Sequence, residues 1–250
     1  MATVTRLAGG LDAMLAVLLA PICAVCERPL DQPTAGPVCG SCWAAVVPIT
    51  PPICDACGDP LPSWRTISVA ESRCPRCRRK PAAVRTRAIG GYDGALGRIV
   101  HALKYDGRRH VARSLAALLA RAGADLLAGA DLVIPVPLHR SRLSARGFNQ
   151  AAEIARHIGL PVVQGLRRVR RTASQTDLPA ARRHANVRGA FAVARRFDPR
   201  GLVIVLIDDV CTTGATLGAC AAALVEAGAS EVRALTAARV VTRPSARRQR

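Results

Sequence analysis

The sequence feature that most constrains the fold is a repeated arrangement of cysteines. Eight of the ten cysteines lie between Cys23 and Cys77, where they form four CxxC pairs. The segment PICAVCERPL (21–30) recurs as PICDACGDPL (52–61), and a second CxxC pair follows each copy. A whole unit of two CxxC pairs therefore occurs twice, and this repetition predicts two small units that fold separately.

Each unit has the ligands of a metal site. A CxxC turn presents two thiolates to one ion, and two such turns complete a tetrahedral site of the kind that zinc prefers. Apolar residues show little periodicity in this region, so metal binding has to supply folding free energy that hydrophobic burial does not. Cross-braced pairing, an iron–sulfur cluster and redox dithiols are the alternatives. We expect two structural zinc ions, one bound by Cys23, Cys26, Cys39 and Cys42, and the other by Cys54, Cys57, Cys74 and Cys77.

An apolar run near the start, AMLAVLLA (13–20), has the length of a signal-peptide core. Asp12 precedes it, it is too short to cross a bilayer, and it leads directly into the first CxxC pair. We interpret it as a short amphipathic helix packed on the protein, with a targeting or membrane-surface role as the alternative. Because clustered free thiols are typical of a reducing compartment, we expect a cytoplasmic protein without a transmembrane span. Under the alternative it would lie at the inner face of the membrane.

From about residue 86 the pattern changes to alternating helices and strands, which predicts βαβ units. The fold class we expect is α/β, with a parallel sheet flanked by helices and a small N-terminal zinc-ribbon domain. The helical segments lie at 96–104, 111–122, 149–158 and 216–227, and the strands at 132–136, 202–207 and 231–237. The predicted divisions are a helix and double zinc ribbon over 1–85, the α/β domain over 86–243, and a basic tail over 244–250.

The segment VLIDDVCTTGAT (205–216) has the elements of a phosphate-binding loop. Its apolar strand brings Asp208 and Asp209 to the carboxyl edge of the sheet, where ligands bind in open α/β folds. The turn that follows begins a helix, Gly214 permits close approach, and the free N–H groups form an anion cradle. Two carboxylates would repel a lone phosphate, so they favour a ligand with hydroxyl groups, such as a ribose phosphate, or one carrying Mg²⁺. An ordinary helix N-terminus beside two acidic residues is the alternative.

The charge of the chain favours polyanionic partners. Lys and Arg together number 36 against 17 acidic residues, and the net charge is +19. Fourteen arginines lie between residues 140 and 200, against only three acidic residues there. Codon usage in a GC-rich genome is the alternative explanation for part of the excess. Two basic residues stand in distinct motifs: Lys104 in LKYDG, which could reach a phosphate or be a solvated helix end, and Arg146 in RGFNQ, a second phosphate candidate.

The hydrophobic strand, the Asp-Asp pair and the TTGAT turn resemble the phosphoribosyl pyrophosphate (PRPP) motif of type I phosphoribosyltransferases. Together with the zinc ribbons, three other patterns resemble the ComF family of competence proteins (ComFC and GntX proteins). They are GYDGALGRIVHALKYDGRR (91–109), PVPLHRSRLSARGFNQ (135–150) and RTASQTDLPAARRHANVRGAF (171–191). The resemblance extends over about residues 21–243.

The resemblance implies roles for the residues that match. In the family the acidic pair holds the ribose hydroxyls, and the TTGAT stretch wraps the 5′-phosphate. The PRPP site would consist of Asp208, Asp209, Val210, Cys211, Thr212, Thr213, Gly214, Ala215 and Thr216, with the two aspartates as the catalytic candidates. His139 and Arg140 lie in the loop that contacts pyrophosphate in such enzymes. Where related enzymes have a mobile loop that closes over PRPP, this chain has Arg171, Thr172, Gln175 and Arg182. Asp177 or His184 is a candidate general base there.

The resemblance implies a phosphoribosyltransferase that binds PRPP with Mg²⁺ and supports DNA uptake in natural transformation, or nucleotide metabolism. The alternative is a non-catalytic competence module that binds single-stranded DNA and keeps a vestigial or sensory PRPP site. A zinc-organised adaptor with an empty phosphate site is a third hypothesis. A competence helicase or import machinery would be the protein partner. The scarcity of aromatic residues, 3% of the chain, argues against extensive stacking on bases.

Overall fold

The computed structural model describes residues 12, 14–15, 17–61, 72–105, 107–170 and 186–241. Two short helices, α1 (Gly40–Ala44) and α2 (Pro75–Arg79), lie in the cysteine-rich part. The α/β part begins at residue 85. Its elements are β1 (Arg85–Gly91), α3 (Gly94–Tyr105), α4 (Val111–Ala122), α5 (Ala124–Leu127), β2 (Leu132–Pro135), α6 (Arg140–Arg146), α7 (Gln150–Ala155), β3 (Leu166–Arg168), β4 (Phe191–Val193), β5 (Val203–Cys211), α8 (Ala215–Glu226) and β6 (Glu231–Arg239).

The main sheet has four parallel strands in the order β1–β6–β5–β2. β5 is central because its first half is continuously apolar, as a strand buried on both faces requires. Val205 and Ile207 belong to the core on one face, with α3, α4 and α7. Ile204 and Leu206 belong to the core on the other, with α8 and the antiparallel β3–β4 pair. The predicted α/β fold is confirmed.

Helix α4 spans the predicted residues, whereas β5 continues beyond its predicted end at residue 207. Residues 208–211 stay in the sheet because they pair with β6, as in the registers Asp208↔Thr236 and Cys211↔Arg239. The aspartates therefore lie within the strand and not after it. In the α/β part, the elements β1, α5, α6, β3 and β4 were not predicted. The sequence RTRAIGG of β1 lacks an apolar run, yet the strand is largely buried. Arg87 is buried with its guanidinium paired with Asp125 at 2.9 Å and donating to Asp55 O.

The sequence repeat is also a structural repeat. In each copy the first CxxC pair lies in a tight hairpin, closed by Leu30 N–H donating to Pro21 O at 2.9 Å and by Leu61 N–H donating to Pro52 O at 2.8 Å. In each copy the second pair begins a short helix, at Cys39 for α1 and at Cys74 for α2. The spacing of the cysteines accounts for this local structure, because the two CxxC pairs of a ribbon have to face one ion.

Both ribbons dock along β1, the edge strand of the sheet. The first ribbon meets its carboxyl end, where Ile49 N–H donates to Ile89 O at 2.8 Å. The second meets its amino end, where Thr86 N–H donates to Ala56 O at 3.0 Å. An uncovered edge strand exposes unpaired backbone groups, so the ribbons protect this edge.

The described residues of the N-terminal apolar run are helical at 12, 14–15 and 17–19. Asp12 ties this segment to the first ribbon, because its carboxylate accepts hydrogen bonds from Thr34 N–H at 2.9 Å and from Thr34 Oγ1 at 2.7 Å. None of the helices in the described part of the chain combines the length and the apolar character that crossing a bilayer requires.

Candidate functional site

The polar part of β5 lies beside the end of α3. Lys104 Nζ is 3.1 Å from Asp209 Oδ1, and the two side chains are 12% and 14% exposed. The ring of Tyr92 lies beneath this lysine, 5.6 Å from Nζ to the ring centre, which adds a cation–π contact. The structure thus brings together two site residues that the sequence singled out separately.

Asp208 lies in a different environment. Loss of surrounding water, and then the neighbouring charge of Asp209, raise the pKa of Asp208 to about 7. Its carboxylate accepts a hydrogen bond from the Asp209 N–H at 2.9 Å, and the charges of Lys104 and Arg168 also favour ionisation without cancelling the rise. One carboxylate of the pair is therefore held in an ion pair, while the other titrates near neutrality.

Arg168 on β3 was not identified from the sequence. Burial, and then the charge of Arg142, lower the pKa of Arg168, while the charge of Asp208 opposes that shift. Its guanidinium carbon lies 5.3 Å from the ring centre of Phe191. The sequence places this residue in an arginine-rich segment but does not indicate a role in the site. A strand of three residues is too short to show a periodic pattern, and its partner β4 is more than twenty residues away.

The turn after β5 has the geometry of an anion-binding loop. Gly214 has a φ of 77°, in the left-handed region that glycine adopts at little cost. It caps α8, whose first turn directs its N–H groups toward the loop. Thr213 Oγ1 accepts a hydrogen bond from Ala215 N–H at 3.4 Å. A shallow concavity is lined by Asp208, Val210, Cys211, Thr212, Gly214, Ala215, Thr216 and Leu217.

The other predicted residues fall into three groups. Arg146 donates to Gln150 Oε1 at 3.1 Å and to Tyr105 Oη at 3.3 Å, so it lies near the end of α3. His139 caps α6 by accepting from Ser141 N–H at 3.3 Å, and Arg140 is exposed in the first turn of that helix. Outside the described residues lie Arg171, Thr172, Gln175, Asp177, Arg182 and His184.

The eight ribbon cysteines form two groups, Cys23, Cys26, Cys39 and Cys42, and Cys54, Cys57, Cys74 and Cys77. This is the sequential arrangement. Sγ–Sγ distances are 3.9 Å for Cys23–Cys42, and 3.7 Å for both Cys26–Cys39 and Cys57–Cys74. Four sulfurs about 2.3 Å from one zinc ion stand about 3.8 Å apart in a tetrahedron, so both groups fit zinc. All four ligands come from the protein in each group, as in structural sites. Cys211 and Cys220 are buried in the α/β core and belong to neither.

Family models match two separate parts of the chain. A model of the double zinc ribbon domain matches residues 14–78, and one of the phosphoribosyl transferase domain matches residues 143–249. The chain is 33% identical to "DNA utilization protein YhgH" of Salmonella typhimurium, over 84% of the chain and 93% of that protein.

It is 30% identical to "Competence protein F" of Haemophilus influenzae, over 72% of the chain and 82% of that protein. It is 26% identical to "Competence protein ComFC" of Bacillus subtilis, over 76% and 79%. Among solved structures, a glutamine PRPP amidotransferase of Bacillus subtilis complexed with ADP and GMP matches with a TM-score of 0.34 and 28% identity, over 50% of this chain and 25% of that one. That score is too low to support a conclusion.

Proposed function

Because the chain belongs to the ComF/YhgH family of competence and DNA-utilisation proteins, we propose that its phosphoribosyltransferase-like domain binds PRPP with Mg²⁺ in support of DNA uptake or utilisation. The 5′-phosphate would bind to the loop at residues 212–216, and the ribose hydroxyls would donate to Asp208 and Asp209. The observation that carries this proposal is the placement of that carboxylate pair directly before the left-handed turn at Gly214 that opens α8.

The phosphate and the ribose of the ligand each match a different set of groups in the site. The N–H groups at the start of α8 and the Thr hydroxyls suit the phosphate dianion, since a helix N-terminus favours negative charge. The carboxylates suit hydroxyl donors, and the ion pair with Lys104 holds the Asp209 side chain in position. A lone inorganic phosphate would use only the N–H and Thr hydroxyl donors and not the carboxylates.

We propose phosphoribosyl transfer as the reaction. The C1–O bond to pyrophosphate breaks, its electron pair leaves with pyrophosphate, and a nucleophile forms the new bond to C1. Mg²⁺ carried by the ligand would supply charge neutralisation at the leaving pyrophosphate. Lys104 and Arg146 add positive charge near the site, and Arg140 extends it along the loop after β2, next to the neutral donor or acceptor His139. The acceptor would be a nitrogen base or another nucleophile.

Calorimetric titration with PRPP and Mg²⁺ tests the binding site. We expect binding to the wild-type protein and a loss of about 10–100-fold in affinity for Asp209→Asn, because a charged hydrogen-bond acceptor is removed. Asp198→Asn is the matched control, since that carboxylate is exposed and paired with Arg200 at 2.6 Å. A wild-type titration without heat, and without competition by sulfate, would contradict the proposal. Pyrophosphate release across a panel of bases tests catalysis.

A second candidate function, binding of single-stranded DNA, is favoured by a basic cleft. The cleft has a volume of about 900 Å³ and lies between the first ribbon and the start of α4. One wall carries Arg108, Arg109, His110 and Arg113, all exposed, and the other carries apolar residues that include Ile22 and Pro33. The Arg109 guanidinium carbon stands 4.4 Å from the ring centre of Phe148, in a neighbouring cavity of about 340 Å³. The arginines suit the phosphate backbone of a single strand, and the apolar wall suits its unstacked bases.

Salt dependence of oligo(dT) binding tests this second function. We expect the double variant Arg108→Ala/Arg113→Ala to reduce the slope of log K against log salt by about 1.4, because each phosphate contact to a single strand contributes about 0.7. Arg121→Ala, an exposed arginine of the same helix outside the cleft, should leave the slope unchanged. Equal slopes for all three proteins would exclude the cleft as the binding surface.

A further inference from the structure

The second ribbon is joined to the sheet by two buried arginines. Near the amino end of β1, Arg87 Nη1 donates to Asp55 O at 3.1 Å, and its Nη2 pairs with Asp125. At the carboxyl end of β6, Arg239 Nη1 donates to Cys57 O, and its Nε lies 2.8 Å from Asp59 Oδ1. Only the second of these arginines reaches the end of the sheet that carries the phosphate loop.

Arg239 lies where the end of β6 pairs with the end of β5, next to the phosphate loop. It is completely buried, and its backbone is in register with Cys211, the last residue of β5 before Thr212. The residue after it closes the strand end, because Val240 N–H donates to Cys211 O at 2.9 Å. The backbone carbonyl of Arg239 accepts a hydrogen bond from the N–H of Tyr92, whose ring lies beneath Lys104. The side chain of Arg239 therefore binds the second ribbon, while the backbone at Arg239 and Val240 binds the start of the phosphate loop and Tyr92, on which Lys104 packs.

The second ribbon and the phosphate loop also share a cavity of about 160 Å³. From the ribbon it is lined by Cys57, Arg76 and Cys77, and from the loop by Cys211, Thr213 and Gly214, with Arg239 between them. The linker after the ribbon packs on α8, since a Cβ at Gly218 would stand 3.1 Å from Ala83 Cβ. Described residues of the first ribbon line neither this cavity nor the concavity of the loop.

The charges around this cavity are already matched. Arg76, Lys80 and Arg239 bring three cations, while Asp59 and the four thiolates around a zinc ion bring the opposing negative charge. The ligand set fits zinc, and the net negative charge of such a site together with Asp59 balances these cations without a further anion. The cavity is thus better explained as a junction between two sites than as a binding site of its own.

We propose that Arg239 is a positioning residue for the ribose-phosphate site, through which the second zinc ribbon and the phosphate loop stabilise each other. This inference rests on the proposed function. Any ligand that binds the ordered loop also favours the docked ribbon, and zinc in that ribbon favours the ordered loop. Coupling between two sites is reciprocal, so each ligand raises the affinity of the other by the same factor.

Zinc competition in the unmodified protein gives the first test. Zinc affinity is measured by equilibrium titration with a colorimetric chelator, with and without saturating ribose 5-phosphate. We expect the ligand to raise the zinc affinity of one of the two sites by about 10-fold, within the usual range of coupling, and to leave the other unchanged. If ribose 5-phosphate binds but neither zinc affinity changes, the coupling is overturned.

The two arginines provide a matched pair of variants for the second test. We expect Arg239→Met to lower the affinity for ribose 5-phosphate by about 10-fold and to remove the effect on zinc, with Arg239→Lys in between because it keeps a cation beside Asp59. Arg87→Met removes a buried tie of the same ribbon, so it should cost stability and leave the affinity unchanged. Equal affinity losses for both methionine variants would overturn the role of Arg239. If the unmodified protein binds neither ribose 5-phosphate nor PRPP, the proposed function itself fails, and this inference fails with it.

Discussion

Removal of zinc is expected to unfold the second ribbon, because the metal ligands themselves make up the buried cluster of its described residues. Among the described residues this cluster consists of Cys54, Cys57, Cys74 and Cys77, and the apolar residues packed against it, Ala56, Leu61 and Ala82, are partly buried. Structural zinc sites contribute an apparent binding free energy of about 10–16 kcal/mol at neutral pH, far more than such a cluster could replace. The first ribbon should lose less structure, since Cys23, Leu30, Val38 and Cys42 join the main core beside α3.

Hydrogen exchange with mass spectrometry separates these outcomes. After chelation, amides over 52–61 should exchange as in an unfolded chain, those over 21–30 should be partly protected, and those of β5 and β6 should stay protected. Return of zinc at two ions per chain should restore the original pattern and serves as the control. If chelation removes both ions and the protection at 52–61 persists, zinc does not supply the folding free energy of this ribbon.

Asp208→Asn is expected to stabilise the protein at pH 8 while weakening the ribose-phosphate site. The pKa of Asp208 is raised to about 7 from an ordinary value of 3.8, so the folded state holds this proton more tightly than the unfolded state does. The contribution of this carboxyl group to stability is therefore most favourable below about pH 4, falls as the pH rises toward 7, and includes the full cost of the partly buried charge above that. Removal of the charge should raise the free energy of unfolding at pH 8 by about 1–3 kcal/mol.

Urea denaturation at pH 5 and pH 8 measures this effect. The difference between wild type and variant should be larger at pH 8, whereas Asp198→Asn should gain nothing, because Arg200 lowers the pKa of Asp198. If Asp208→Asn gives the same stability as wild type at both values, the carboxylate is not destabilising in the folded state. A gain in stability with a loss of affinity is the pattern of a functional group kept at the expense of the fold.

Sequence patterns determined those parts of this protein in which the chemistry is local. Metal ligation and phosphate binding depend on residues a few positions apart, so the CxxC repeat predicts the ligand groups and the segment 205–216 predicts a phosphate loop without any tertiary contact. The continuous apolar run in β5 likewise identified a central parallel strand. Each of these rests on a spacing that the backbone geometry requires.

The tertiary structure alone decided which distant side chains meet. Lys104 reaches Asp209 only because α3 ends beside the polar half of β5, and Arg168 comes near Asp208 only through a short strand without a periodic signal. Arg239 and Cys57 lie 182 residues apart and are joined only by the docking of the second ribbon. Such contacts leave no spacing in the sequence, because they depend on how the sheet orders its strands and on which edge the ribbons cover. The sequence therefore predicted the loop and the zinc ligands, and the fold decided that one ribbon adjoins that loop and the other does not.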